Sequence, residues 1–235
     1  MMKKLYVSSM HGLRRALAPT GLLAAMASSN SKTARWMRSL FSIYDSNDMV
    51  SLDVAWWTYS AIERVEALLD ARKGAARVFE YGAGASTIWL AKRAAKVNSV
   101  EHDVGFLSSM QEAFAAHVNV EVMLVEPQPA TGGIGEARSQ RKGYENANFD
   151  DYVSAIRRVS GDFDVIIIDG RARSACLAEA VPRLAQNGII VFDNSNRRAY
   201  RQAIAASGLD TTVYSGLAPA LPYRSETTIL QRVSP

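Results

Sequence analysis

From about residue 51 the chain alternates short apolar runs with segments that have helical spacing of apolar residues. Each run is rich in Val, Ile or Phe and has the length of a strand. Strands that alternate with helices are typical of a doubly wound, mostly parallel sheet, whose ligands bind beyond the carboxyl ends of the strands. The runs are ARVFEYG, KVNSVEHD, NVEVMLVEP, FDVIIIDG and GIIVFDN.

The segments on either side of these runs complete a predicted domain of residues 51–235. Before the first run, Ile62, Val65, Leu68 and Leu69 lie on one helical face, and Gly74 suits the end of that helix. After the last run, DTTVYSGLAP and RSETTILQRV are two strand patterns around a Pro-containing loop. They predict an antiparallel hairpin at the end of the sheet.

Residues 1–50 form a basic N-terminal extension with a different character. Residues 1–44 carry seven Lys and Arg and no acid, so the chain's formal charge of +4 leaves −3 for the rest. We expect a helical segment that packs on the body, and reversible contact with an anionic membrane surface is the alternative. The extension is less compatible with a signal peptide, because Pro19 and Thr20 interrupt its short apolar patch.

Composition narrows the class of protein further. A chain of 235 residues that is 48% hydrophobic is long enough for one sizeable core. No apolar stretch reaches the roughly 18 residues of a membrane span, and we expect a cytoplasmic protein. The single Cys176 excludes an internal disulfide and indicates a buried structural thiol. The slightly acidic body predicts no nucleic-acid partner.

A glycine turn, GAGAST, follows the first predicted strand. A phosphate-binding loop would need a Lys-Ser or Lys-Thr pair after its last glycine, and none stands there. A dinucleotide fingerprint would need a third glycine at Thr87, and the Glu80 carboxylate would repel a pyrophosphate. The same carboxylate suits a ligand with a cationic amino group and no phosphate. Glu101, at the end of the next strand, is placed to bind ribose hydroxyls.

These residues resemble the class I S-adenosylmethionine-dependent methyltransferases over roughly residues 52–232. The resemblance rests on FEYGAGAST, SVEHD, DVIIIDGRAR, GIIVFDN and the terminal strand pair. It implies a Rossmann-like α/β fold with a seven-stranded, mostly parallel sheet, and S-adenosylmethionine as the cofactor. The turn would lie against the methionine part of the cofactor, and the acid after the second strand would hold the ribose. The candidate cofactor contacts are Glu80, Gly82, Gly84, Ser86, Glu101 and His102.

Two other functions stay open at this point. A nicotinamide-dependent oxidoreductase could use the same Rossmann-like arrangement, and a non-catalytic module could bind a nucleotide without turnover. Binding of S-adenosylhomocysteine rather than NAD would separate the first alternative from the methyltransferase, and turnover would separate the second.

The DG and DN pairs after the fourth and fifth predicted strands add candidate catalytic and metal-binding residues. Asp169, Asp193 and Asn194 can converge at one edge of the sheet, which resembles the magnesium triad of catechol-type O-methyltransferases. Mg²⁺ accepts such oxygen ligands, and a bound cation would activate a substrate hydroxyl. The alternative is that Asp169 and Asp193, our candidate catalytic residues, cap the following helices or hold substrate directly.

Next to Asp169, the sequence differs from that of the catechol-type enzymes. Ala172 stands where those enzymes have a lysine base, and Arg171 and Arg173 flank it. An arginine is a poor base but binds carboxylate or phosphate well, so these two indicate an anionic group on the substrate. The alternative is that they form salt bridges with nearby acids.

A long polar segment between the third and fourth strands, residues 126–152, adds Tyr144 as a candidate substrate contact. Tyr152 is a second possibility within it. We expect O-methylation of a small-molecule or glycan-like hydroxyl, because the acidic edge can activate a hydroxyl and the body lacks a basic surface.

Overall fold

A computed structural model describes residues 2–233 of the chain, and the side chains of residues 5–233. The helices are α1 (Met2–Leu17), α2 (Leu22–Ala27), α3 (Lys32–Leu40), α4 (Ser46–Ser51), α5 (Tyr59–Ala71), α6 (Ala85–Ala91), α7 (Val104–Ala115), α8 (Asp150–Val153), α9 (Arg173–Ala180) and α10 (Arg198–Ala206). Short 3₁₀ helices cover Ala18–Thr20, Ser154–Arg158 and Val181–Arg183.

The strands are β1 (Arg77–Tyr81), β2 (Lys96–Glu101), β3 (Val120–Leu124), β4 (Gln128–Pro129), β5 (Ala147–Asn148), β6 (Phe163–Ile168), β7 (Leu184–Asp193), β8 (Asp210–Leu217) and β9 (Arg224–Gln231). Within residues 2–233, seven of them form one sheet in the order β3-β2-β1-β6-β7-β9-β8. Neighbours from β3 to β7 are parallel, and β9 runs antiparallel to β7 and β8. The predicted mostly parallel sheet with a terminal antiparallel pair is confirmed.

Apolar residues cover both faces of the central strands, because helices lie on each side of the sheet. In β6, Val165, Ile166, Ile167 and Ile168 have no exposed surface. Alternate side chains point to opposite faces, so Ile166 and Ile168 join one core cluster, and Val165 and Ile167 join another. This pattern produces the continuous apolar run seen in the sequence.

The extension packs against the body through buried side chains. Met49 has no exposed surface and clusters with Ile43 of the same segment and with Ala85 and Ala220 of the body. The Trp36 indole donates to the Leu221 carbonyl at 3.0 Å. These contacts place the extension beside the start of α6 and the β8–β9 loop. None of the helices within residues 2–233 is both long and apolar enough to cross a membrane.

The acids of the extension hold its helices together. Asp48 accepts a two-pronged pair of hydrogen bonds from Arg38, at 2.9 and 3.0 Å. It also lies 2.7 Å from Arg14 and accepts from the Ser42 hydroxyl. Burial opposes the charge of Asp48, but the hydrogen bonds from Arg38, Ser42 and Arg14 outweigh it and lower its pKa to about 2. Two of the seven basic residues of the extension, Arg14 and Arg38, are therefore paired with acids inside it.

Candidate active site

The glycine turn between β1 and α6 depends on close backbone contact with a second loop. Gly82 has φ +98°, and a Cβ atom there would lie 2.8 Å from the Cα of Gly170. Gly84 has no such restriction: its φ is 174°, and a Cβ would meet only the Phe106 ring at 3.8 Å. The first glycine is therefore required by the turn and the second is not.

Glu80 lies behind this turn and not on its ligand side. It has no exposed surface, and its carboxylate accepts hydrogen bonds from Ser86, Thr87 and Ser99 at 2.5 to 2.7 Å. Thr87 in turn accepts from the Gly84 amide at 2.8 Å. The structure thus differs from our expectation that Glu80 binds the cofactor's amino group, because hydroxyl donors surround the carboxylate. Glu80 instead stabilises the turn through these hydrogen bonds.

Burial also changes the protonation of Glu80. Loss of solvent raises the pKa of Glu80 to about 7, although the hydrogen bonds from Ser86, Thr87 and Ser99 favour the charged form. The negative charge of Asp169 raises the pKa further. The carboxyl group therefore changes charge near neutral pH while it remains enclosed.

Glu101 ends β2 and is held by the chain that follows it. Its Oε1 accepts from the amides of His102 and Asp103 at 2.7 and 2.8 Å, and lies 2.6 Å from His102 Nδ1. Oε2 takes no part in these bonds. Because one oxygen fixes the carboxylate, the other is oriented for a ligand that carries hydroxyl groups.

His102 joins Glu101 to two other candidate residues. Its Nε2 lies 3.1 Å from the Tyr144 hydroxyl and accepts from Arg171 Nε at 3.2 Å. These contacts assign the proton to Nδ1, facing Glu101, because Nε2 must accept from the guanidinium. The Arg171 guanidinium also lies over the Tyr144 ring, 5.5 Å from its centroid. Tyr144 therefore supports His102 and Arg171, whereas Tyr152 has no exposed surface and cannot contact substrate.

A cavity of about 350 Å³, which we call the turn cavity, lies between the glycine turn and the end of β2. Of the candidate cofactor contacts, Gly82, Gly84, Ser86, Glu101 and His102 line it. Asp169, Arg171 and Arg173 line its other side. Backbone glycines at one end and the Glu101 carboxylate at the other fit S-adenosylmethionine, with Glu80 enclosed behind the turn.

A second cavity of about 410 Å³, the adjoining cavity, lies next to it. Asp169, Trp56 and Tyr44 line both cavities, so the two meet at these side chains. Asp193 and Asn194 line only the adjoining cavity. The sequence predictions included Asp169, Asp193 and Asn194. Tyr44 lines the cavities because the extension packs against the body, and it has no local sequence signal.

Arg173 occupies the space between the two aspartates. Its Nη2 donates to Asp169 Oδ1 at 2.7 Å, and its Nη1 lies 3.9 Å from Asp193 Oδ2. Its remaining donors bind the carbonyls of Asp169, Gly170 and Asp193. Four of the five N–H donors of Arg173 are therefore used inside the protein, and our prediction that it binds a substrate anion is corrected to the salt-bridge alternative.

This arrangement does not fit a magnesium ion on Asp169, Asp193 and Asn194. The guanidinium already lies between the two carboxylates and offsets one of their charges, and a metal cation placed against it would be repelled by its charge. Asp193 Oδ1 accepts from Thr227 at 2.8 Å and Oδ2 from the Asn194 amide. Within residues 5–233, no group of three or more His, Cys, Asp or Glu side chains is arranged to hold a metal.

Burial changes the pKa of both aspartates. It raises the pKa of Asp193 to about 7, with a further contribution from the charge of Asp169. Burial also raises the pKa of Asp169, which the charges of Arg173 and Arg171 partly offset. Asp193 is only 3% exposed, whereas the Asp169 side chain keeps 21% of its surface. Asp169 is thus the aspartate that a ligand can reach.

Comparisons with known proteins agree with this geometry. Residues 79–195, about half of the chain, match the family model described as "Methyltransferase domain". No curated protein matches the chain. Among solved structures, an rRNA methylase from Streptococcus thermophilus is similar in fold, with a TM-score of 0.52 and 13% identity over 74% of this chain and 96% of its own.

Two other solved structures are similar at lower scores. A methyltransferase-like protein from Silicibacter pomeroyi has 23% identity and a TM-score of 0.48, covering 73% of this chain and 88% of its own. A Streptococcus mutans protein described as a methyltransferase, in complex with SAH, has 13% identity and a TM-score of 0.48, covering 72% of this chain and 96% of its own.

The fold, the turn cavity and the family match define a methyltransferase. The chain is an S-adenosylmethionine-dependent methyltransferase with a Rossmann-like fold. The oxidoreductase and the non-catalytic binding module are set aside. The comparisons do not bear on the resemblance to catechol-type enzymes.

Proposed function

We propose that the protein transfers a methyl group to a hydroxyl of a small molecule bound in the adjoining cavity. One observation carries this proposal: Asp169 lines both the turn cavity and the adjoining cavity. A group that binds in the adjoining cavity next to Asp169 is therefore beside the cofactor. The cofactor supplies an electrophilic methyl group on its sulfonium.

Asp169 is the residue that we expect to accept the proton from the hydroxyl. Arg173 fixes Oδ1, and Oδ2 takes no part in that contact. A raised pKa makes the carboxylate a stronger base than an exposed aspartate, and a positioned base contributes typically about 10²- to 10⁴-fold to a rate. Ala172 stands in place of a lysine base, so Asp169 takes that role without a metal.

The walls of the adjoining cavity favour a small acceptor. Trp56 and Tyr44 form an aromatic boundary at the junction, and Ile43 and Leu221 add apolar surface. Its volume of about 410 Å³ is in the lower part of the range for small-molecule sites. Walls contributed by the extension also limit the approach of a large partner such as structured RNA.

The test uses the full chain, S-adenosylmethionine with a labelled methyl group, and an extract of the source organism separated into metabolites, RNA and protein. We expect label in the metabolite fraction, as a methyl ether identified by mass analysis. Asp169→Asn should lower the transfer rate about 100-fold or more, with S-adenosylhomocysteine affinity within about threefold of the original. Label that appears only in RNA or protein would overturn the proposal.

A further inference from the structure

Two arginines that line the adjoining cavity have no acidic partner. Arg197 donates to the Asn194 side-chain oxygen at 3.2 Å, and Arg224 donates to the Ser215 carbonyl at 3.2 Å. Within residues 5–233, no Asp or Glu oxygen lies within 4.0 Å of either guanidinium. Each guanidinium has five N–H donors and stays charged, so most of their binding capacity is unused by the protein.

Arg197 and Arg224 differ from the other arginines near the site in their hydrogen-bond partners. Arg173 is enclosed by Asp169 and by backbone carbonyls, and Arg38 forms a two-pronged pair with Asp48. Arg197 and Arg224 are exposed, and both line the same cavity. The candidate anion contact of the adjoining cavity is therefore this pair, in place of Arg173.

The strand register places Arg224 beyond the end of β7, where the chain continues towards Arg197. Asp193, the last residue of β7, is paired with Thr227 of β9. Because the strands are antiparallel, Arg224 lies three residues farther out, level with the segment that leads from Asp193 to Arg197. Three residues of strand span about 10 Å. Arg224 thus lies on the order of 10 Å along the strand from the level of Asp193, whereas Arg197 is closer, because it donates to Asn194, which in turn donates to Asp193.

The start of α10 adds positive potential at the same place. Arg197 is the N-cap residue of this nine-residue helix, no side chain caps its free amides, and its first turn holds no acid. The N-terminus of a helix carries a partial positive charge. The helix end and the two guanidinium groups therefore all contribute positive potential at this part of the cavity.

The lining of the adjoining cavity thus carries both signs of charge. Asp169 and Asp193 supply the acidic groups, with Asp169 at the junction with the turn cavity, and Arg197 and Arg224 supply the basic groups. We propose that the methyl acceptor carries an oxyanion, a carboxylate or a phosphate, that binds Arg197 and Arg224 while its hydroxyl lies at Asp169. This inference rests on the proposed function and specifies its substrate class.

The experiment separates the metabolite fraction on an anion-exchange resin before the labelling reaction with the full chain. We expect the labelled product in the fraction that the resin retains, which contains carboxylates and phosphates. Label only in the unretained, neutral fraction would overturn the anionic acceptor and leave small-molecule methylation intact. Label in neither fraction, with label in RNA or protein, would overturn the proposed function itself.

Variants then test the two arginines with the labelled acceptor. The double variant Arg197→Ala/Arg224→Ala should raise the KM for the acceptor about tenfold or more, because the two arginine–oxyanion hydrogen bonds are together worth at least that factor. S-adenosylhomocysteine affinity should stay within about twofold, since neither residue lines the turn cavity. Arg197→Lys keeps the charge and should lose less.

Arg198 is the matched control, because it is the next residue of the chain, exposed, and outside the lining of the adjoining cavity. Arg198→Ala should leave the KM within about twofold of the original. Inorganic phosphate should compete with the acceptor in the original protein and not in the double variant. Equal KM values for the double variant and Arg198→Ala would contradict the assignment.

Discussion

The backbone of Gly82 lies directly against that of Gly170, so that a Cβ atom on Gly82 would come within 2.8 Å of the Gly170 Cα. These glycines belong to loops after β1 and β6, which are neighbours in the sheet. The contact joins the turn that faces the cofactor to the loop that carries Asp169. The spacing between cofactor and candidate base therefore depends on two residues without side chains.

Gly82→Ala should separate these loops. A side chain at φ +98° is strained, and the added carbon meets backbone that cannot move away, so the free energy of unfolding should fall by roughly 2 to 4 kcal/mol. S-adenosylhomocysteine binding, measured by calorimetry, should be lost or greatly weakened. Gly84→Ala is the matched control, because its extended backbone accepts alanine, and it should cost less than about 1 kcal/mol. Equal losses of unfolding free energy in the two variants would contradict this account of the turn.

The buried carboxyl of Glu80 predicts a pH-dependent stability. Its pKa is raised to about 7 in the folded state, so its contribution is fully present below the ordinary value of 4.5 and is lost as the pH rises through 7. Relative to Glu80→Gln, the original protein should lose up to about 3 kcal/mol of unfolding free energy between pH 4.5 and pH 8. Urea titrations at several pH values measure this difference.

The control for Glu80 is Glu112, an exposed residue of α7. Glu112→Gln should follow the original protein at every pH, because the side chain lies in solvent and its surroundings change little on unfolding. If Glu80→Gln also followed the original protein, Glu80 would not titrate as its burial requires.

Removal of divalent metals should leave the enzyme active. Because the Arg173 guanidinium lies between Asp169 and Asp193, we expect methyl transfer in strong chelator to stay within about twofold of the rate with added Mg²⁺. Calorimetry with Mg²⁺ alone should show no binding. Arg173→Met should lower the free energy of unfolding by about 3 to 5 kcal/mol, since it leaves two buried acids without their cation. Loss of activity in chelator and its recovery with Mg²⁺ would show that a cation replaces the arginine.

Asp48 should determine how firmly the extension is held. Asp48→Asn weakens its hydrogen bonds with Arg38 and its pairing with Arg14, and should cost about 2 to 3 kcal/mol at neutral pH. Because the pKa of Asp48 is lowered to about 2, this contribution is present above pH 3.8 and is lost as the pH falls towards 2. Hydrogen exchange of residues 32–51 should accelerate in the variant, and the KM for the acceptor should rise, since Tyr44 lines the adjoining cavity.

Glu63 supplies the control for Asp48. It pairs with Lys32 of the extension, but both side chains are more than half exposed. Glu63→Gln should cost less than about 1 kcal/mol and leave exchange of residues 32–51 unchanged. Similar effects of the two substitutions would mean that the Asp48 cluster is no stronger than a surface ion pair.

The sequence by itself determined the alternation of strands and helices, because each element leaves a periodic pattern of apolar residues within its own length. Gly82, Glu101 and Asp169 were also predictable from the sequence, since each ends or directly follows a strand whose carboxyl end must face the ligand. The fold and the turn cavity therefore follow from local patterns and from one rule about parallel sheets.

Only the tertiary structure decided what surrounds these residues. Glu80 faces away from the ligand because Ser99 and the first turn of α6 enclose it, and Arg173 occupies the place of the expected metal. Tyr44 and Arg224 reach the adjoining cavity from parts of the chain that are far from Asp169 in sequence. A side chain's charge, partners and exposure depend on residues that folding brings together, and no local pattern records those distances.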